Sequence, residues 1–313
     1  MDASPATEDR GVVNAGVTYR SRVGAAAAGR TVLAELTETR RRVGEETWRR
    51  RIADGEVTLD GARARADTRL AVGQDLAWRR PPWREPAVPL TFAILWRDED
   101  LLVVAKPSGL PTMPGGGRFH ESTLLRRVLA HDPRARPVHR LGRHTTGVVV
   151  CGRTPRARAA LSAAFRSGAV RKEYVALVAG EVPAGRHVVT TPLGPVPHAR
   201  LGTVTAATPD GRPARTELER VPAARERPGR SLVRVRIATG RPHQIRIHAA
   251  VLGFPLLGDP LYGAGGRPVS DALPADGGYA LHAGRLATAH PSSGAALDVW
   301  CAPPPALRTA GDA

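Results

Sequence analysis

The sequence predicts an α+β protein. Apolar runs of strand length occur at residues 101–105, 147–151, 174–179 and 232–238, and helical periodicity runs between them, most clearly over residues 155–167. A separate short stretch near residues 30–77 carries its own helices, strand and turn. Taken in order, residues 1–25 are rich in Gly, Ala and Ser with little apolar periodicity and read as a flexible leader. A small module then covers residues 26–78. It has a helical run at Val32, Leu33, Ala34, Glu35 and Leu36, a second helix over Glu45–Ala53 ended by Gly55, a strand over Val57–Leu59 and a hairpin turn at Asp60-Gly61. Val72, Gly73, Gln74 and Asp75 close it. Residues 79–90 form a Pro-rich linker, since Pro81, Pro82 and Pro86 fix φ and remove amide donors.

The remaining residues, 91–313, alternate strand and helix signals. Residues 122–131 read as a helix with Leu124, Leu125, Val128 and Leu129 inward. In residues 155–167, Thr154 can cap, Pro155 suits the first turn and Gly168 ends the helix, leaving Ala157, Ala160, Leu161, Ala164 and Phe165 on one face. Residues 263–278 are a Gly/Pro/Asp-rich surface insertion, and no internal repeat is present.

A chain of 313 residues can hold one large domain and a small one. No stretch is apolar enough to span a membrane, and the N-terminus lacks the apolar core of a signal peptide. Cys151 and Cys301 lie far apart without metal-ligand spacing, so reduced thiols and a cytoplasmic location are expected. The formal net charge of +17 points to a polyanionic partner, of which nucleic acid is the usual one, although an Arg-rich composition alone can inflate it. Only two lysines occur, Lys106 and Lys172, and both fall within motifs, as though a compact ammonium were wanted there. Arg40, Arg41, Arg42, Arg49, Arg50 and Arg51 cluster around the two helices of the small module, as phosphate contacts or as a solvated face.

Four segments carry the chemistry. The first runs from Asp98 through Leu101-Leu102-Val103-Val104-Ala105 into the turn Lys106-Pro107-Ser108-Gly109. The second is His139-Arg140-Leu141-Gly142-Arg143-His144-Thr145-Thr146-Gly147, and the third runs from Val170 through Lys172 and Tyr174 to Gly180. The fourth is Gly240-Arg241-Pro242-His243-Gln244-Ile245-Arg246-Ile247-His248, followed by Gly258-Asp259-Pro260-Leu261-Tyr262-Gly263 and then Leu281-His282-Ala283. In this order they resemble the RluA-type RNA pseudouridine synthases, whose second segment reads H-R-L-D-x-x-T-[ST]-G. The small module resembles the S4 RNA-binding domain that often precedes that catalytic domain.

The resemblance implies a mixed, largely antiparallel central sheet with a cleft for structured RNA, either ribosomal or transfer. It implies isomerisation of uridine to pseudouridine with neither cofactor nor metal, by a monomer. The base must leave its stack and enter a pocket. There Tyr174 would stack on the uracil or move a proton, and Arg246 would pair with the catalytic carboxylate. Arg140, Lys106, Lys172, Arg241 and His243 would face the RNA, as would Arg49, Arg50 and Arg51 of the small module. Gly142 stands where the family pattern has its Asp, so a carboxylate's role as nucleophile, base or electrostatic partner cannot come from that position. Arg246 then needs another partner: a displaced carboxylate such as Asp132 or Asp259, an anion, or an RNA phosphate. Asp259 also reads as a turn cap, and His144 as either an acid/base group or a phosphate contact. The competing functional reading is a descendant that binds RNA without turnover. Paired histidines at His139/His144 and His243/His248 lack acidic ligands and do not suggest a metal site. Gly115-Gly116-Gly117 lacks the Lys and Ser/Thr of a phosphate loop and reads as a flexible loop at the cleft mouth.

Overall fold

The computed structural model describes residues 11–40, 43–115, 117–225, 228–273 and 277–312. The first ten residues of the expected leader, Arg41, Arg42, Gly116 and residues 274–276 of the insertion lie outside the described residues. The chain divides into two compact units. One spans Arg10–Glu85 with Arg200–Gly202, and the other is built from Pro86–Ala199 and Thr203–Ala313.

The smaller unit contains β1 (Val17–Arg22), α1 (Val32–Thr39), α2 (Glu45–Ala53), β2 (Val57–Leu59), β3 (Ala62–Arg63) and β4 (Asp75–Arg80). The hydroxyl of Thr31 accepts from the Ala34 amide at 3.2 Å and starts α1. Glu45 and Glu46 open α2 while Arg50 and Arg51 close it, matching its dipole at both ends. Asp60 and Gly61 both adopt positive φ, as the two-residue turn between β2 and β3 requires. The strands order as β1-β4-β2-β3, all antiparallel, over a core that includes Val32, Leu36, Trp48, Ile52 and Val57.

Strand β1 corrects the reading of residues 1–25 as a leader. It pairs with β4 along its whole length, from Val17 opposite Arg80 to Arg22 opposite Asp75. No residue of β1 is fully buried, so backbone pairing holds it and its side chains leave no apolar alternation to read. β4 likewise extends to Arg80, two residues into the expected linker.

The larger unit begins with β5 (Ala93–Arg97), β6 (Leu101–Lys106), α3 (Leu124–His131), β7 (Arg136–Pro137), β8 (Thr146–Gly152) and α4 (Pro155–Ser167). β9 (Arg171–Ala179), β10 (Arg186–Val189), β11 (Leu193–His198), β12 (Gly202–Ala207), β13 (Thr216–Arg220) and β14 (Arg230–Ile237) follow. α5 (Gln244–Val251), β15 (Leu281–Ala289) and β16 (Ala296–Trp300) complete it. Among the described residues these build a ten-stranded sheet of order β10-β13-β14-β9-β15-β8-β6-β5, with β16 added to β15 and β7 to β8. Every pairing is antiparallel except β15 with β8, while β11 and β12 form a separate ribbon.

The continuous apolar run of β6 follows from burial on both faces. Leu102 and Val104 join the cluster containing Leu124 and Val128 of α3 and Ile245 and Ala249 of α5. Leu101 and Val103 join the cluster containing Leu161 of α4 with Leu286 and Val299. Helix α4 has the predicted ends: Thr154 Oγ1 accepts from the Ala157 amide, Pro155 is its first residue and Gly168 ends it at φ 79°.

The parallel β8/β15 contact decides where the site can form. Gly147 has φ 109°, and a Cβ there would lie within 3 Å of the Ala283 backbone. Only glycine allows β15 this close, and the approach carries the segment just before β15 to the loop just before β8.

Candidate active site

A cleft of about 960 Å³ opens at that junction. Its wall takes residues from the loop before β8, from β9, from the end of β14 with the following turn, from α5, and from the segment entering β15. Gly142, Tyr174, Arg246, Arg140, Lys172, Arg241 and His243 all line it, so most of the expected site residues converge.

The loop bearing Gly142 is held by the Lys106 turn. The buried Lys106 ammonium donates to the carbonyls of Pro107 (2.8 Å), Leu110 (2.8 Å) and Arg143 (3.0 Å). Thr112 Oγ1 donates to the Leu141 carbonyl at 2.9 Å, Arg143 Nε donates to the Gly109 carbonyl at 2.9 Å, and Ser108 Oγ donates to the His144 carbonyl at 3.2 Å. Burial pushes the Lys106 pKa down to about 7, with Arg143 adding to the effect, yet three carbonyl acceptors require the three hydrogens of the charged form. The expectation that Lys106 contacts RNA is therefore corrected: it is 1% exposed and its donors are spent on main-chain oxygens. A planar guanidinium cannot direct three donors from one atom, which explains a lysine in a chain that otherwise uses arginine.

Helix α5 is buried along seven consecutive residues, Gln244 to Ala250. Gln244 Oε1 accepts from Thr239 Oγ1 (2.7 Å) and the Arg241 amide (3.0 Å), while Nε2 donates to the Arg215 carbonyl (2.9 Å) and Thr216 Oγ1 (2.9 Å). His243 precedes the helix in the left-handed conformation, φ 57°. The Tyr262 hydroxyl donates to the Thr205 carbonyl at 2.6 Å, so at 2.6 Å it must accept from His243 Nδ1–H. That leaves Nε2 of His243 as a lone-pair acceptor. Burial and the neighbouring Arg246 depress the His243 pKa to about 3, and the ring is neutral. His139 is depressed to about 3 by burial, with Lys172 adding to it, and its Nε2 accepts from the Val150 amide at 3.0 Å. His144 is depressed to about 4 by burial and by Arg143, Lys106 and Arg246, which leaves it uncharged at neutral pH.

Arg246 meets its partner in Asp259. Its Nε and Nη2 donate to the two carboxylate oxygens at 2.6 Å each, and both side chains are buried. Asp259 Oδ1 also accepts from the amides of Leu261 (2.9 Å) and Tyr262 (3.3 Å), so it is both turn cap and counter-ion. Asp259 does not line the cleft and is wholly enclosed, so it aims the guanidinium without itself reaching a ligand. Asp132 is placed elsewhere, bound to Arg153 Nε at 2.6 Å and to the Arg134 amide at 3.0 Å, and it does not replace the missing carboxylate. Tyr174 is 8% exposed on β9, and burial pushes its phenol up to about 12.

One group of expected residues lies away from the cleft, and one cleft residue gives no sequence signal. Arg49, Arg50 and Arg51 belong to α2 of the smaller unit and do not line the cleft; Arg49 pairs with Glu45 at 2.6 Å, and Arg51 lies over the Trp48 and Trp78 rings. Sequence reasoning gives no sign of Tyr279, which lines the cleft. It stands two residues before the Leu281-His282-Ala283 segment, which gives no signal of its own, and the β8/β15 contact delivers it to the cleft wall. No group of three or more His, Cys, Asp or Glu that could hold a metal ion occurs among the described residues, and no helix of the described residues is long and apolar enough to cross a membrane.

The chain is similar in sequence and fold to known proteins. The sequence profile of the RNA pseudouridylate synthases matches residues 100–251. An uncharacterized RNA pseudouridine synthase of Synechocystis is 40% identical over 268 residues, covering 84% of this chain and 91% of that protein. The ribosomal large subunit pseudouridine synthase D of Nitrosomonas europaea is 39% identical over 235 residues, covering 70% of this chain and 63% of that one. Among solved structures, human RNA pseudouridylate synthase domain containing 1 shares the fold with a TM-score of 0.55 at 23% identity, over 71% of this chain and 89% of that one.

Proposed function

The chain belongs to the RNA pseudouridylate synthase family, and from that premise we propose that it isomerises a uridine in structured ribosomal RNA, bound through the basic rim of the cleft and held by the smaller unit. One observation carries the reading: a single cleft gathers Tyr174, Arg246 and the Gly142 loop from three separate sequence segments, with Arg140, Arg166, Lys172 and Arg241 on its wall. A flipped uridine needs such a pocket, enclosed for the base and cationic for the flanking phosphates. The ribosomal substrate is favoured over transfer RNA by the relative from Nitrosomonas europaea, whose name specifies the large subunit.

In the reaction the N1–C1′ bond breaks, the uracil turns, and C5 joins C1′. Tyr174 presents its ring to the uracil, and its burial keeps the hydroxyl protonated and able to donate. Arg246, fixed by Asp259, brings positive charge beside the bond that breaks and favours negative charge as it develops on the departing base. The smaller unit serves as an S4-like RNA-binding module, with exposed Arg49 and Arg50 on α2 against phosphates. The competing reading, an RNA binder without turnover, is not favoured, since it rests on Gly142 alone while the rest of the cleft is assembled.

Tritium released from RNA labelled at uridine C5 reads the reaction directly, because C5 loses its hydrogen when the C–C bond forms. Release by the wild-type protein, lost by at least ~100-fold in Tyr174→Phe, is expected. No release from RNA of cells lacking the gene would overturn the proposal.

A further inference from the structure

The vacancy at Gly142 is filled. A Cβ built on Gly142 would lie within 3 Å of the Tyr279 hydroxyl and 3.2 Å from Thr145 Oγ1, and no other atom comes closer than the Tyr279 ring carbon at 3.5 Å. Gly142 does not have positive φ, so its backbone tolerates a side chain, and the phenol is what takes the room. Tyr279 is 7% exposed, lines the cleft, and accepts a hydrogen bond from Thr145 Oγ1 at 3.3 Å. That bond does not use the phenol's own hydrogen. The Arg246 guanidinium carbon sits 4.3 Å from the centroid of the Tyr279 ring, where positive charge stabilises negative charge developing on the phenol. A hydroxyl therefore stands at the base of the missing carboxylate, next to the same arginine and in the same cleft.

We propose that Tyr279 is the nucleophile of this synthase, its phenol oxygen acting on the ribose C1′ from the place where the family pattern has a carboxylate. The inference rests on the synthase reading above. An aryl-oxygen nucleophile at a sugar carbon is known chemistry for glycosidic bonds. As the phenol oxygen bonds to C1′, the N1–C1′ bond breaks and its electron pair goes to the uracil. The phenol hydrogen passes to the uracil, ending on N1. After the uracil turns, C5 bonds to C1′ and the C1′–O bond breaks, its pair returning to the phenol oxygen. The hydrogen leaving C5 then restores the phenol. The sum is one C5–H lost and one N1–H gained, with no external reactant.

Three variants beside the wild type decide it, assayed for tritium release from the 5-tritiated RNA of cells lacking the gene, with RNA affinity measured in parallel. Tyr279→Phe removes only the hydroxyl, and it is expected to lower kcat by at least ~100-fold while RNA affinity stays within about twofold. Gly142→Asp combined with Tyr279→Ala supplies a carboxylate and the space for it, and is expected to recover activity. Gly142→Asp alone sets the carboxylate's Cβ against the phenol and is expected to stay below the double variant. Wild-type release that Tyr279→Phe retains within about twofold would overturn the nucleophile assignment and leave the synthase reading in place. Release by the double variant but not by wild type would overturn it too, making Tyr279 a plug. Silence from all the proteins would instead overturn the synthase reading, and the assignment with it.

Discussion

Asp259 and Arg246 face each other where water is largely excluded, and that burial sets the cost of disturbing either. The guanidinium has one bidentate partner, at 2.6 Å on both arms, so removing the charge of Asp259 strands a buried cation. Asp259→Asn is expected to cost about 3–5 kcal/mol in urea unfolding. A loss under about 1 kcal/mol would mean the pair does not hold α5 in place. Lys106 makes the complementary case. Lys106→Arg keeps the charge but cannot keep three carbonyl bonds, so it should lose about 1–3 kcal/mol and slow turnover through the displaced Gly142 loop. Full turnover in Lys106→Arg would show that the loop does not need this clamp. At this scale the sequence marks most of the cleft residues and offers Asp259 among the possible partners of Arg246, but gives no sign of Tyr279. Asp259 reads equally as a turn cap, and Tyr279 sits outside every motif; only tertiary contacts select Asp259 over Asp132 and bring Tyr279 to Arg246.

Elements became legible in the sequence in proportion to how one-sided or short they are. Helix α4 shows caps and one apolar face, and β6 and β8 are short runs buried on two faces, so periodicity and length reveal them. Helix α5 shows in the sequence as a motif and not as a helix, because it is buried all round and its Gln, Arg and His are bonded inside the core. Edge strands such as β1 and β5 expose most of their side chains and carry little apolar pattern. The β8/β15 contact is the element-level key to the site, and Gly147 is its single-residue test. Gly147→Ala must force the Ala283 backbone away and hold alanine at φ 109°, which should cost about 3 kcal/mol or more. It should also lower the activity of the protein that remains folded, since the segment leading into β15 carries Tyr279. An alanine variant of wild-type stability and activity would contradict this placement.

The whole molecule carries +17 formal charges and uncharged, half-buried histidines around its cleft, and both have consequences in solution. RNA affinity is expected to fall about a thousandfold or more between roughly 50 and 200 mM salt, with binding followed by filter retention. Salt-independent binding would remove the electrostatic reading of the basic surface. His139 and His243 titrate near 3 in the folded protein, well below the ordinary value of 6.5 that they regain on unfolding. The unfolded chain therefore takes up protons first as pH falls, so stability is full above about 6.5 and is lost progressively between there and about 3. Acidification from pH 6.5 to 5 is expected to lower unfolding stability by about 2–4 kcal/mol, and an unchanged urea midpoint would contradict the desolvated neutral rings. The central claim is that this cleft makes pseudouridine in ribosomal RNA, and a nucleotide-resolution map of pseudouridine in cells with and without the gene tests it most directly. Loss of pseudouridine at a defined ribosomal uridine on deletion, restored by the wild-type gene and not by Tyr279→Phe, is the result expected; identical maps in all the strains would contradict it.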